Sequence, residues 1–251
     1  MVTENAVLLV DAGNTRIKYI TLDSVNDTVW TADNPEHLFA QLTNHKNIRH
    51  IYLSNVGPPD FEQQFSTFCL ANAIDLRIIH TEREQFGLVN SYSDESKMGC
   101  DRWLAMIAAH KMTSKRFAVI DIGTAITCDF VEDGQHLGGW IIPGYALMKD
   151  ALVKNTARVV ADNKIPAEFS VGQSTQDCVA MGCQAAVRGV YLSAVDYLSN
   201  NKADFSIIIG GGGKNMLAFA QFDGSILVAN LVVHGLARYA RSEIQALVSN
   251  R

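Results

Sequence analysis

The chain has 251 residues, of which 48% are hydrophobic, enough to bury a substantial core in one large α/β domain or two intimate half-domains. Its 21 basic against 26 acidic residues, a net charge of −5, exclude a general basic footprint for nucleic acid or an anionic membrane surface, so a small anionic ligand needs local positive sites. Five cysteines without C-x-x-C spacing read as buried thiols, the start MVTENAVLLVDAG lacks a basic leader, and no stretch approaches the roughly 20 apolar residues of a membrane helix, so a soluble, cytoplasmic protein is expected.

Residues 6–22 read as two strands joined by a turn at Gly13, with Val29 to Ala32 as a third. A helix follows from Pro35 to about Leu42, with Asn34 as its cap. His50 to Ser54 is the next strand, and an amphipathic helix carrying Phe61, Phe65, Phe68 and Leu70 leads to a short strand at Leu76 to Ile79. From Thr81 to Lys97 the chain turns polar and loses periodicity, which predicts a substrate-facing loop. Residues 98–103 open a helix with Leu104, Ile107 and Ala108 on its apolar side. The strand at 117–121 begins a second half that runs through hairpins to Ile142 and is broken at Pro143-Gly144. Helices are predicted at 144–155 and at 174–199, the latter opened by Ser174-Thr175-Gln176-Asp177. A strand at Phe205 to Ile209, the run Gly210 to Gly213, a helix, a strand at 225–229 and a helix at 230–247 complete the chain.

One pattern occurs twice, as VLLVDAGNTRIKYITL at 7–22 and FAVIDIGTAITCDFV at 117–131, setting Asp11 against Asp121, Gly13 against Gly123 and Asn14 against Thr124. A buried strand delivers a carboxylate to the sheet edge, where it can hold a cation directly or through water. The glycine lets the backbone pass close to a phosphate. Asn14, Thr15 and Thr124 add side-chain donors to a nest of backbone N–H groups. A single Asp-x-Gly turn is commonly structural; two in-register copies point to two related halves facing one nucleotide. Asp101 stands at a helix start, and Arg102 beside it offers a planar two-donor fork for a carboxylate. The same pair also reads as a helix-terminal acid and a surface ion pair. Lys18 reads as solvated or phosphate-binding, Tyr92 as a loop anchor or substrate contact, and Asp129 as an aid to Mg²⁺ or a plain hydrogen-bonding group.

Alternating strands and helices, the repeated hairpin and the late glycine-rich strand exit resemble the duplicated ribonuclease-H-like architecture of the actin-like ATPases, an α/β fold of two mixed-sheet half-domains. In that arrangement ATP lies in an interdomain cleft, with the adenosine on the late glycine turn. Asp11-Ala-Gly-Asn-Thr-Arg-Ile-Lys18, Ser54-Asn-Val-Gly-Pro58, Gly99-Cys-Asp-Arg-Trp103, Asp121-Ile-Gly-Thr-Ala-Ile-Thr-Cys-Asp129, Gly138-Gly-Trp-Ile-Ile-Pro-Gly144 and Ile209-Gly-Gly-Gly212 follow, in order, the landmarks of type III pantothenate kinases. The resemblance covers nearly the whole chain.

It implies transfer of the γ-phosphoryl group of ATP to the primary hydroxyl of pantothenate, the first step of coenzyme A synthesis, with Mg²⁺ and a monovalent cation, potassium or ammonium. It implies a first phosphate loop of Asp11, Ala12, Gly13, Asn14, Thr15, Arg16, Ile17 and Lys18, a second phosphate contact at Thr124, and the monovalent cation at Asp121. Tyr92, Gly99, Cys100, Asp101, Arg102 and Thr175 would line the pantothenate site, with Asp101 as base. The halves are expected at 1–115 and 116–251, with the C-terminal helix returning towards the first, and a homodimer is implied. The long apolar helix at 174–199 reads equally as a dimer face or a core helix. Where the family often has Pro three residues after the substrate Tyr, this chain has Glu95, which predicts a less rigid loop. There is no Gly-x-x-x-x-Gly-Lys-Ser/Thr sequence, which excludes a P-loop kinase. Two other readings compete: a kinase of the same superfamily acting on a sugar or short-chain acid, and a regulatory protein that senses ATP without turnover.

Overall fold

The apolar run at the start of the chain becomes β1 (Val7–Ala12) of a computed structural model that describes residues 3–43, 47–156, 165–200, 204–217 and 224–249, and every residue of β1 is buried. Both of its faces are covered. Leu8, Val10 and Ala12 join Ile17, Ile51 and Leu53 in a core closed by Leu38 and Phe65. The intervening residues Val7, Leu9 and Asp11 point to the opposite face.

Around β1 lie β2 (Ile17–Thr21) and β3 (Trp30–Ala32), both antiparallel to their neighbours, and the parallel strands β4 (His50–Asn55) and β5 (Asp75–Ile78), in the order β3-β2-β1-β4-β5. Leu38 belongs to α1 (Pro35–Leu42) and Phe65 to α2 (Asp60–Ala71). As predicted, Pro35 opens α1, and the Asn34 Oδ1 cap accepts the His37 N–H at 2.8 Å. The opposite face is covered by α3 (Cys100–Met112) and α6 (Leu231–Ser249). α3 buries nearly every side chain from Cys100 to Ala109, so its one indole needs an internal partner: Trp103 Nε1 donates to Tyr239 Oη at 3.0 Å, and that hydroxyl donates to Glu82 at 2.6 Å. α3 and α6 close on each other at Gly235, where a Cβ would stand 2.3 Å from the Leu104 carbonyl oxygen.

The segment expected to be a plain loop from Thr81 to Lys97 contains a two-residue hairpin, β6 (Glu84–Gln85) and β7 (Leu88–Val89), and a 3-10 turn at Glu95–Lys97. Strands this short carry no legible alternation. Their turn uses Phe86 at φ 54°, a conformation rare for an aromatic residue. It is held by the Arg238 guanidinium 4.5 Å above the ring and by an edge contact to Tyr239 at 5.1 Å. At the Glu95 position the missing proline is replaced by a cap: Asp94 Oδ1 accepts from Ser96 N (3.1 Å) and Ser96 Oγ (2.6 Å).

In the second unit, β8 (Arg116–Ile122), β9 (Ala125–Glu132) and β10 (Gln135–Pro143) form an antiparallel meander, followed by α4 (Tyr145–Asn155), α5 (Thr175–Ser199), β11 (Phe205–Gly210) and β12 (Ser225–Leu227). β11 runs parallel to β8, and β12 to β11. Ala118, Ile120 and Ile122 pack with Val187, Tyr191, Ala194 and Leu198 of α5. α5 is long and apolar enough in composition to cross a membrane, a property the sequence reading did not assign to it, but this stripe lies in the core. Ser174 caps it, accepting the Asp177 N–H at 3.1 Å. The helix expected after Gly213 is a 3-10 turn at Lys214–Leu217 among the described residues; residues 218–223 lie outside them. Four of the five cysteines are buried, as expected, but Cys178 is exposed.

Contacts within the chain divide it into residues 1–112 with 229–251, and residues 113–228. α6 packs with α3, β1 and β4 of the first unit.

Candidate active site

The two units are built on one plan. In the first, Asp11 of β1 stands opposite Lys18 of antiparallel β2 and Ser54 of parallel β4. In the second, Asp121 of β8 stands opposite Thr127 of antiparallel β9 and Gly210 of parallel β11. Each hairpin turn is closed on its glycine: Gly13 N–H donates to the Arg16 carbonyl at 3.1 Å, and Gly123 N–H to that of Ala125 at 2.9 Å. The chain leaving each parallel strand folds back onto the residue before that glycine. Val56 and Gly57 N–H donate to the Ala12 carbonyl (3.0 and 3.1 Å), and Gly213 N–H to the Ile122 carbonyl (2.9 Å). The segments Ser54–Gly57 and Gly210–Gly213 are thus counterparts, a likeness invisible in their residues.

In the first unit Asp11 is almost fully buried, with Lys18 Nζ 3.8 Å from its Oδ2, so Lys18 is a partner of the carboxylate across the hairpin. Asn14, Thr15 and Arg16 are exposed at the turn, between buried Ala12 and Ile17. In the second unit Thr124 is exposed, Asp121 is half-buried, and the Thr124 carbonyl accepts the Gly144 N–H at 2.9 Å. Gly144 has to be glycine for this contact: a Cβ would lie 2.2 Å from the Gly123 oxygen and 2.5 Å from that of Thr124. Thr175 is exposed in the first turn of α5. Asp129 faces His136 at 3.0 Å, both side chains buried, which gives this acid a hydrogen-bonding partner within the sheet.

The remaining predicted residues gather at the start of α3. Asp101 Oδ1 accepts the Arg102 N–H at 2.8 Å and lies where a Cβ on Gly99 would approach it to 2.6 Å, so the carboxylate folds back over a position that glycine leaves open. Arg102 is buried and donates from Nη1 to the Tyr92 hydroxyl at 2.9 Å, with its guanidinium 5.7 Å from the Tyr92 ring. A solvated surface ion pair does not describe it. Tyr92 is fixed in turn by its N–H to Asn90 Oδ1 (3.0 Å) and by Arg83, which donates to its carbonyl. Cys100 Sγ donates to the Ile79 carbonyl at 2.9 Å. Burial pushes its thiol up to about 12, and the charges of Asp101 and Asp11 add to the shift.

Beside these residues is a half-open cavity of about 370 Å³ lined by Asn55, Val56, His80, Thr81, Ser96, Lys97, Met98, Gly99 and Cys100. Of these lining residues, the sequence marked Gly99 and Cys100 as site residues and placed Thr81, Ser96 and Lys97 in a substrate-facing loop. The others come from the ends of β4 and β5 and from the 3-10 turn, joined by Thr81 Oγ1 donating to the Met98 carbonyl at 2.8 Å.

The sequence pattern of the type III pantothenate kinase family matches residues 7–196. The chain belongs to that family. A type III pantothenate kinase of Pseudoalteromonas atlantica is 36% identical over 195 residues, covering 77% of this chain and 79% of its own. Another, of Marinobacter nauticus, is 31% identical over 246 residues, covering 95% and 99%. Among solved structures, a Campylobacter jejuni protein assigned to the Baf family of transcriptional activators superposes with a TM-score of 0.62 at 22% identity, covering 95% of this chain and 99% of that one. A Sinorhizobium meliloti protein assigned as a 2-dehydro-3-deoxygalactonokinase gives 0.58 at 14% identity (94% and 98%), and MreB 5 of Spiroplasma citri bound to AMPPNP gives 0.52 at 10% (98% and 98%). At these identities the structural likenesses establish the fold alone: the duplicated α/β fold of the actin-like ATPases and sugar kinases. Members of the type III pantothenate kinase family are ATP-dependent kinases, and this chain is an enzyme of that kind.

Proposed function

We propose that this chain transfers the γ-phosphoryl group of ATP to the primary hydroxyl of pantothenate, giving 4′-phosphopantothenate and ADP, in the cytoplasm. The observation that carries this reading is the matched pair of hairpins, in which Asp11 of β1 and Asp121 of β8 hold the same register position beside a turn closed on its glycine. The first hairpin, Asp11 to Lys18, holds phosphate through its turn N–H groups, with Thr124 as the contact from the second hairpin. Asp101 takes the proton as the hydroxyl oxygen bonds to the γ-phosphorus and the bond to the β-phosphate oxygen breaks. Its hydrogen bond to Arg102 N–H fixes the carboxylate's orientation, so less of that ordering is left to the reaction itself. To the acceptor site we assign Tyr92, Gly99, Cys100, Arg102 and Thr175.

The residues present fit the metal ions the family implies. Among the described residues no three His, Cys, Asp or Glu are arranged to hold a metal. Mg²⁺ keeps its waters and takes phosphate oxygens together with one or two carboxylates, and Asp11 would be the carboxylate that holds it. Asp121, half-buried and flanked in register by Thr127 and Gly210, offers a hard oxygen site for potassium or ammonium. When bound, these ions neutralise charge on the phosphates.

A homodimer is supported by exposed aromatic surface on the second unit, where Trp140 (38% exposed) meets Tyr197 (43%) at 6.4 Å between ring centroids. A monomeric mass in light scattering would contradict it. In a coupled assay with magnesium and potassium, pantothenate is expected to be turned over while sugars and short-chain acids are not, and replacing potassium by sodium is expected to abolish the rate. Turnover of a sugar without pantothenate would sustain the sugar-kinase reading instead, and equal rates in the two salts would remove Asp121 from its role.

A further inference from the structure

Pantothenate carries its reacting hydroxyl at one end and a carboxylate at the other, so a site that presents the hydroxyl to Asp101 has to receive the carboxylate some distance away. Arg102, the guanidinium nearest in sequence, is buried and committed to the Tyr92 hydroxyl. The cavity that starts at Gly99 and Cys100 has the size of a small-molecule site, and its lining contains no acidic residue. Its hydrogen-bonding groups are unequal. Asn55 is spent on its own turn, accepting from Gly57 N (3.0 Å) and donating to the Pro58 carbonyl (3.3 Å). Thr81 donates to Met98 and Ser96 to Asp94. The side chains of Lys97 and His80, both residues exposed on the wall, make no hydrogen bond or ion pair among the described residues. Of the two acids in the turn, Asp94 directs Oδ1 at Ser96, and no ion pair joins Lys97 to Asp94 or Glu95 among the described residues. The N-terminus of α3, a 13-residue helix, adds the positive end of its dipole at the same wall.

We infer that Lys97, with His80, receives the acceptor's carboxylate in this cavity and makes the enzyme selective for an anionic acceptor over its neutral analogue. The inference rests on the kinase reading given above. Lys97 supplies a point charge on a flexible stem, suited to a carboxylate that enters a half-open cavity from solvent. Selectivity then arises at the end of the substrate remote from the chemistry.

The test compares kcat/KM for pantothenate and for panthenol, in which a hydroxymethyl group replaces the carboxylate, in the full chain with ATP saturating. Lys97→Ala is expected to lower the pantothenate-to-panthenol ratio about tenfold, the usual scale for losing a charged contact. Lys97→Arg keeps most of the ratio, and Lys97→Glu lowers it further. The ratio of the unsubstituted enzyme falls as salt is raised, while that of Lys97→Ala does not. An unchanged ratio in Lys97→Ala, or a change confined to the KM for ATP, overturns the assignment and leaves the kinase reading standing. Failure of the unsubstituted chain to phosphorylate pantothenate removes the kinase reading itself.

Discussion

Replacing Asp101 by Asn is expected to lower kcat about 10²- to 10⁴-fold, the range assigned to a positioned general base. ATP binding measured by calorimetry is expected to stay within about twofold. Asparagine preserves the shape of the side chain, and its carbonyl oxygen can still accept the Arg102 N–H that Asp101 Oδ1 takes at 2.8 Å. What it loses is basicity. The position is partly exposed in the first turn of α3, so the loss of a helix-terminal charge costs stability only about 0.3–1 kcal/mol, too little to unfold the enzyme. A slow variant with an intact melting curve and intact ATP binding locates the defect in proton transfer. A rate within a few-fold of the unsubstituted enzyme would show that the alcohol's proton goes elsewhere, and Asp101 would revert to a helix-terminal acid.

A second large effect is expected at the glycine run after β11, where adjacent residues separate folding from nucleotide binding. Gly211 has φ +84°, and a Cβ there would stand 2.3 Å from the Ile122 carbonyl oxygen and 2.5 Å from its nitrogen. Neither obstacle is the tip of a flexible side chain, so the second hairpin has to move. Gly211→Ala is expected to cost about 3 kcal/mol, which for a domain of this size is a fall of about 6–12 °C in thermal midpoint. It also shifts Ile122, whose carbonyl accepts from Gly213 at 2.9 Å at the root of the Gly123–Thr124 turn, so the KM for ATP rises as well. Gly212, its neighbour, meets nothing within 4 Å of a built Cβ. Gly212→Ala should therefore leave the thermal midpoint within about 2 °C, well under the scale of a buried clash. If the nucleotide lies on this turn, Gly212→Ala still raises the KM for ATP several-fold. A Gly212→Ala enzyme with unaltered ATP kinetics would take the adenosine away from the turn.

The two hairpins were legible because each combines a continuous apolar strand, an acid at its end and a glycine where the backbone turns. The register Asp11–Ser54 and Asp121–Gly210 then follows from strand topology. The start of α3 was legible for a similar reason: Gly99 and Asp101 act through local geometry, the acid folding over its own glycine. The cavity beside it was not. Its wall joins residues 80–81 to residues 96–100 through one side-chain hydrogen bond, Thr81 to Met98, and no period or spacing in the sequence records that contact. The hairpin at Phe86 was hidden because a bulky aromatic holds a left-handed turn there only with Arg238 and Tyr239 packed on it from α6, about 150 residues later in the chain. Similarly, Glu95 in place of proline pointed to a looser loop, whereas Asp94 caps the turn from the preceding position.

The most direct measurement is the product itself. The purified chain is incubated with ATP, Mg²⁺, potassium and pantothenate, and both products are quantified by mass spectrometry over time. The expected result is ADP and 4′-phosphopantothenate in equal amounts, with neither formed when pantothenate is left out. ADP accumulating without a phosphorylated acceptor, or no consumption of ATP at all, would contradict phosphoryl transfer to pantothenate at this site.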